Sequence, residues 1–278
     1  MDRLFVVNKP IFISSNGYMR HIKKKYNVKK VGFSGTLDPF ATGTLIVATK
    51  RYTKLFNYLD KTPKRYQATL WLGATSSTLD IEQVETIQKI KPYTVDEIKN
   101  ALTSLLGKIN YTPPQYCAKK INGVAAYKNA REGKKSALKQ ITSKIFDIKL
   151  LCYNHPFIHF EATVSEGTYI RSLGEMITTH LKTTGCLSSL KRVQEGKFIY
   201  DNEKALDPLA FISLPQNNYT ADETDVELGK KLSIDNFQIK ENGDYLVKTT
   251  HFFAIIKIEN AKVEYLLNRM PFFRNENV

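Results

Sequence analysis

An α+β fold with a small β unit at its C-terminal end is what this sequence predicts, on three observations. Strand-like and helical stretches are interspersed from residue 4 to about residue 182. A polar stretch, Pro215 to Val226, then interrupts the pattern. After it come only short strands and turns, near 237–240, 244–248, 252–258 and 261–266.

The elements follow in order. Leu4 to Asn8 alternates into Lys9-Pro10 and reads as a strand. Ser14-Ser15-Asn16 is an N-cap cluster for a helix over about 17–27, which runs into Lys23-Lys24-Lys25 and Lys29-Lys30. Gly32 to Gly43, rich in Gly, Pro and Thr, is a structured loop before a buried strand at Leu45 to Ala48. A short helix at 52–59 and a half-buried strand at 66–73 come next. Thr94-Val95-Asp96-Glu97 has the form of a capping box, so a helix is expected over 94–106. Residues 112–145 form a basic insertion with Pro113-Pro114, an Asn122-Gly123 turn and eight Lys or Arg, such as Lys119, Lys128 and Arg131. Strands at 146–153 and 157–164 and a helix over 169–182 complete the larger part. The expected domains are therefore 1–214, a linker at 215–226 and a small β domain at 227–278.

Composition narrows the class. Of 278 residues, 42% are apolar and 24% charged, as in an ordinary globular protein. The longest apolar runs fall far short of the roughly 20 residues a membrane helix needs, and the N-terminus lacks the pattern of a signal peptide. Three separated cysteines, Cys117, Cys152 and Cys186, suit a reducing cytoplasm better than a disulfide framework. Histidine and cysteine spacing gives no metal site. Residues 1–200 carry 32 Lys+Arg against 14 Asp+Glu, net +18, whereas residues 201–278 carry 9 against 13, net −4. Such a field suits a polyanion, through phosphate contacts and counterion release. Lys-rich composition alone would also give a solvated basic surface.

Four stretches carry possible chemistry. Gly32 to Leu45 holds one carboxylate, Asp38, in a rigid loop in the most basic part of the chain. An Asp-Pro pair alone reads as a turn. A carboxylate in that setting opposes simple charge attraction, which points to chemistry. Lys64-Arg65-Tyr66 opens a strand, and its tyrosine suits either stacking on a base or packing on a core. Ser165 to Leu173 starts a helix with Arg171 in the first turn, where a cation opposes the helix dipole. That arginine needs an anion, and Asp38 is the candidate, although a solvent-facing arginine fits the sequence alone. Leu190-Lys191-Arg192 is a basic edge with a core leucine.

Together these stretches resemble the TruB family of tRNA pseudouridine synthases. Gly35 to Gly43 looks like the family's G-x-L-D-P-x-A-T-G signature. Lys9-Pro10 with Ser14-Ser15-Asn16 is similar to its K-P-x-G-x-[ST]-S motif. Lys64-Arg65-Tyr66, Pro113 to Lys119, Gly167 to Arg171 and Leu190 to Arg192 fall in the family's order, so the resemblance covers roughly residues 3–213. It implies a central mixed, largely antiparallel sheet flanked by helices, and a PUA-like C-terminal domain. It implies isomerisation of one uridine in the tRNA T-loop, position 55 in tRNA numbering. In that mapping Asp38 is the catalytic aspartate, Tyr66 is a catalytic residue that stacks on the target base and transfers a proton, and Arg171 pairs with Asp38 and keeps it ionised. Tyr169 and Leu190 line the uracil pocket, and Lys9, Phe33, Lys64 and Arg192 lie among the substrate-binding positions. The family has His where Phe33 stands, which leaves stacking without the hydrogen bonds, and Gly where Phe12 stands, so that turn is expected to differ.

The implied reaction is an isomerisation and calls for no cofactor and no metal. The implied partner is the tRNA T-arm, with no membrane, no obligate protein partner, a monomer and a cytoplasmic location. Two rivals remain at this stage. A tRNA-binding or tRNA-folding protein on the same fold would bind without catalysis. A glycosidic-bond hydrolase would need two cooperating carboxylates, and the sequence offers one in a suitable loop. A related enzyme acting on another RNA is a further variant of the main reading.

Overall fold

The computed structural model describes residues 2–121 and 123–274, so Asn122 of the expected turn lies outside it, as do 275–278. The chain opens with β1 (Leu4–Lys9), helix α1 (Ser15–Lys25), β2 (Val31–Ser34) and β3 (Thr42–Thr49). The helix expected at 52–59 is a 3-10 helix, Lys50–Asn57. Next come β4 (Lys64–Leu72), the short pair β5 (Ala74–Ser76) and β6 (Val84–Ile87), helix α2 (Val95–Thr103) and β7 (Gly107–Tyr111). The basic insertion holds two-residue strands β8 (Lys120–Ile121) and β9 (Val124–Ala125) and the short helix α3 (Ala126–Arg131). β10 (Ile141–Asn154), β11 (Phe157–Val164), α4 (Ile170–His180) and β12 (Gly185–Glu195) complete the larger part. Helix α5 (Glu223–Leu228) precedes a hairpin-linked sheet of β13 (Gly243–Lys248), β14 (Phe252–Glu259) and β15 (Lys262–Pro271).

The main sheet runs β1-β3-β12-β4-β11-β10-β7, with β2 also paired to β3. All its pairs are antiparallel except β12–β3, where Lys191 meets Thr42 and Arg192 meets Gly43 in parallel. The sheet is thus mixed and largely antiparallel, as expected. Alternation dictates its faces. In β4, Tyr66, Ala68, Leu70 and Leu72 point to one side. There they meet Ile98, Ala101 and Leu102 of α2 and Leu173 and Ile177 of α4. Thr94 and Glu97 close the capping box that the sequence predicts for α2.

β3 is buried on both sides, which is why it reads as a continuous apolar run. Leu45 and Val47 pack with Phe5, Val7, Met19 and Ile22 beneath α1. Ile46 and Ala48 point the other way, into a core shared with Tyr52, Leu55, Leu246, Phe253, Ile255 and Met270. The C-terminal sheet therefore packs directly on the back of β1 and β3. Residues 215–226, read as a linker, are fastened: Asn217 N donates to Leu246 O (2.9 Å), Leu246 N to Pro215 O (2.9 Å), and α5 begins within the stretch. No strand forms at 237–240. A 3-10 turn, Ile234–Asn236, runs into Phe237, which makes a single bridge to Tyr219 and buries its ring in the small unit's core.

Candidate active site

The loop between β2 and β3 is held from below by apolar anchors and from the side by the β1–α1 turn. Leu37, Phe40 and Ala41 are buried in the main core, on either side of Asp38, so the intervening backbone is pinned while the Asp38 side chain stays partly exposed. Ser15 Oγ accepts from Leu37 N (3.0 Å) and donates to Leu37 O (3.1 Å). Phe12 N donates to Pro39 O (2.8 Å). Phe12 itself sits at φ 60°, the left-handed region that a glycine occupies without strain, with its ring 68% exposed.

Lys9, expected among the substrate-binding positions, is fully buried. Its ammonium donates to Pro10 O (2.8 Å), Ile13 O (2.7 Å) and Pro39 O (3.2 Å), which uses all three N–H groups on backbone. Burial lowers its pKa to about 8, with Asp38 and Glu82 opposing the shift. Lys9 thus pins the loop beside Asp38.

Arg171 is the hub. Its guanidinium makes a fork with Asp38, Nε to Oδ2 at 2.9 Å and Nη2 to Oδ1 at 3.1 Å. The remaining N–H groups donate to Thr78 O (2.8 Å) and Tyr116 O (2.7 Å), and Nη1 lies 3.4 Å from Asp80 Oδ2. The Arg171 side chain is 3% exposed and that of Asp38 32%. The unfavourable place of a cation in the first turn of α4 is compensated by two carboxylates, as the charge argument required. Asp80 was not legible: in sequence it is an ordinary cap, and it does accept from Glu82 N (3.0 Å) at the start of a 3-10 turn. Only the fold shows that Thr78 Oγ1 (2.6 Å) orients its other role, toward Arg171.

Burial has the largest effect on Asp38 and raises its carboxyl above the ordinary value, and nearby Asp80 adds to this. Arg171, through charge and hydrogen bond, and Lys9 pull it back. The arginine thus limits an upward shift and does not produce a depressed pKa.

A cleft of about 270 Å³ opens beside the pair, lined by Asp38, Lys64, Tyr66, Tyr169, Arg171 and Leu190. That volume lies just below the usual range for small-ligand sites, about 300–1,000 Å³, and suits a single base. Tyr169 precedes α4, its N–H donating to Tyr111 Oη (2.9 Å), and burial raises its hydroxyl above the ordinary tyrosine range. A second cavity of about 410 Å³ borders the same pair and is lined by Glu82, Tyr127 and Arg131 among others. Arg192 reaches the cleft wall but is almost fully buried, with Nε on Thr44 O (2.8 Å) and Nη2 on Gly35 O (2.7 Å). Phe33 lies on β2, packed against the cluster beneath α1, and is not part of the cleft lining. Among the described residues, no three His, Cys, Asp or Glu side chains gather as a metal site would require, and no helix is long and apolar enough to cross a membrane.

Comparison with known proteins shows the family to which the chain is similar. Residues 23–170 match the model described as TruB family pseudouridylate synthase, N-terminal domain. Proteins named tRNA pseudouridine synthase B are similar over nearly the whole chain. That of a Sulfurovum species is 61% identical over 99% of both chains. That of a Nitratiruptor species is 52% identical over 98% of both. That of Campylobacter jejuni (strain RM1221) is 47% identical over 97% of this chain and 99% of its own. Among solved structures, the fold is similar to a Cbf5-Nop10-Gar1 complex, with TM-score 0.70, 21% identity and coverage of 97% of this chain and 85% of that one. An archaeal box H/ACA sRNP Nop10-Cbf5 complex gives 0.67 and 19%, covering 97% and 86%.

Proposed function

The chain belongs to the TruB pseudouridylate synthase family, and on that premise we propose that it isomerises one T-loop uridine of tRNA to pseudouridine with Asp38 as its catalytic residue. The enzyme is an isomerase. The observation that carries the residue assignment is the forked Asp38–Arg171 pair at the edge of a base-sized cleft.

In this reaction the N1–C1′ bond breaks, the uracil turns, and C5 bonds to C1′. The proton on C5 is lost and N1 ends with one, so atoms balance without an external reactant. The target base must leave its stack, at a cost of a few kcal/mol. The positive field of residues 1–200 offsets this through phosphate contacts. Tyr66 and Leu190 offer a flat ring and an apolar side chain to the flipped base, and Tyr169 closes the same cleft. Asp38 acts on the ribose or the base while Arg171 fixes its two oxygens. Lys9 keeps the loop in place from beneath, and residues 113–142 match the family's insertion that closes over the T-loop.

The test is to incubate unmodified tRNA with the protein and map pseudouridine chemically along the T-loop. Pseudouridine at that uridine, absent with Asp38→Asn, is expected. Binding without any pseudouridine would instead identify a tRNA-folding protein. Free uracil would identify a hydrolase.

A further inference from the structure

Beneath the cleft lies a charged group that the reaction as described does not use. Glu195, at the end of β12, has a side chain that is 0% exposed. Its Oε1 lies 3.0 Å from Lys64 Nζ and its Oε2 3.1 Å from Arg192 Nη2. Two buried cations thus share one buried anion. Among the described residues, the other carboxylate paired with Lys64 is that of Glu166, at 3.5 Å on the exposed rim.

What those cations hold gives the arrangement its meaning. Arg192 donates to Gly35 O, the first residue of the loop that carries Asp38, and to Thr44 O, in β3 just beyond the loop's end. One guanidinium therefore clamps the loop at its entry and its exit. The backbone is fitted around this clamp. Gly35 sits at φ 66°, and a Cβ there would stand 2.7 Å from Glu195 Oε1 and 3.0 Å from Arg192 Nη1. Gly43 sits at φ 102°, and a Cβ there would stand 2.2 Å from Arg192 O. Both signature glycines leave room for the clamp, Gly35 for its side chains and Gly43 for the Arg192 backbone.

We infer that Glu195 is a positioning residue for the reaction: by neutralising Arg192 and Lys64 it fixes the clamp that holds both ends of the Asp38 loop. It touches no reacting atom and does not line the cleft. Its effect reaches Asp38 through Arg192 and the loop backbone. Without its charge, two buried cations repel each other and Arg192 loses its buried counter-charge.

This inference rests on the proposed activity, so its test separates the two. Wild type, Glu195→Gln and Glu195→Asp are compared in single-turnover pseudouridine formation with saturating enzyme, in tRNA affinity, and in hydrogen exchange of the amides of residues 35–44 relative to β4 and β11. A wild type that forms no pseudouridine would count against the activity and leave the exchange readout to judge Glu195. The expected result for Glu195→Gln is a rate at least tenfold lower, a tRNA Kd within threefold, and faster exchange confined to 35–44. Glu195→Asp, which keeps the charge one methylene farther away, is expected to fall between the two. Wild-type rate together with unchanged exchange at 35–44 in Glu195→Gln would overturn the inference. So would a uniform rise in exchange across the sheet, which is the mark of a merely structural residue. If Glu195→Gln does not fold, Glu195→Asp decides on the same readouts.

Discussion

At the scale of single residues, the catalytic role proposed for Asp38 beside Arg171 carries a pH dependence. Asp38→Asn is expected to abolish turnover while tRNA affinity stays within tenfold, about 1.4 kcal/mol. The proposed chemistry needs the ionised carboxylate, and burial raises its pKa. Activity should therefore fall on the acid side at a pH above that of an ordinary aspartate. Replacing Arg171 with Gln removes the main downward influence, so the acid limb should move to higher pH, and a pH–rate profile with the same tRNA checks this. Stability runs the other way. Between the ordinary and the raised value the folded protein keeps a proton that the unfolded chain has lost, so the Asp38 contribution to stability declines as pH rises through that window. Asp80 belongs to the same unit. Asp80→Ala leaves a buried guanidinium short of a partner and is expected to cost about 3–5 kcal/mol in urea unfolding, along with activity. Asp38, Tyr66, Tyr169, Arg171 and Leu190 were legible because each sits in a local motif and the fold gathers all five into one cleft. Asp80 and Glu195 were not legible, because a residue that acts through a buried contact with a distant residue has no local pattern. Lys9, Phe33 and Arg192 show the reverse: motif position suggested contact with substrate, whereas burial and carbonyl partners turn Lys9 and Arg192 to holding the loop, and Phe33 lies outside the cleft.

At the scale of elements, the turns around the loop carry the sharpest sequence constraints. Gly43 faces Arg192 where β3 and β12 pair, so Gly43→Ala is expected to destabilise by about 3 kcal/mol or more, the sum of strain at positive φ and a collision with backbone. Phe12 points to the opposite outcome. A left-handed conformation costs a β-carbon-bearing residue about 1–2 kcal/mol, partly offset by the greater unfolded-state freedom of glycine. Phe12→Gly should therefore hold or raise the melting temperature although an aromatic ring is lost; a clear drop would mean that the exposed ring packs on something in solution. The capping box of α2 and the continuous apolar run of β3 were readable because propensity and burial agree there. The strand expected at 237–240 failed because Phe237 is apolar for tertiary reasons: it fills the small unit's core from a turn, without a ladder.

At the scale of the molecule, charge and core divide the chain differently. Charge splits it near residue 200, with the positive excess on the side that carries the cleft. Affinity for tRNA should fall steeply with salt, by about a thousandfold from 50 to 200 mM for about six phosphate contacts, and a plot against log salt measures that number. The core makes no such split. Leu246, Phe253, Ile255 and Met270 of the C-terminal sheet bury themselves against Leu4, Val6, Ile46 and Tyr52, and Tyr52 Oη donates to Pro271 O (2.9 Å). Each such apolar side chain contributes about 1.5–3 kcal/mol when it leaves water, and both units draw on the same contacts. The edge strand β1 and the strand β3, which begins where the Asp38 loop ends, are thus covered by the C-terminal sheet. Unfolding of that sheet would expose the back of the strands that carry the site. A calorimetric scan of the full chain should show one cooperative transition, and Phe253→Ala, far from the cleft, should lower its midpoint as a whole. Two resolved transitions, with only the lower one moved by Phe253→Ala, would show instead that the C-terminal sheet melts independently of the strands that hold Asp38.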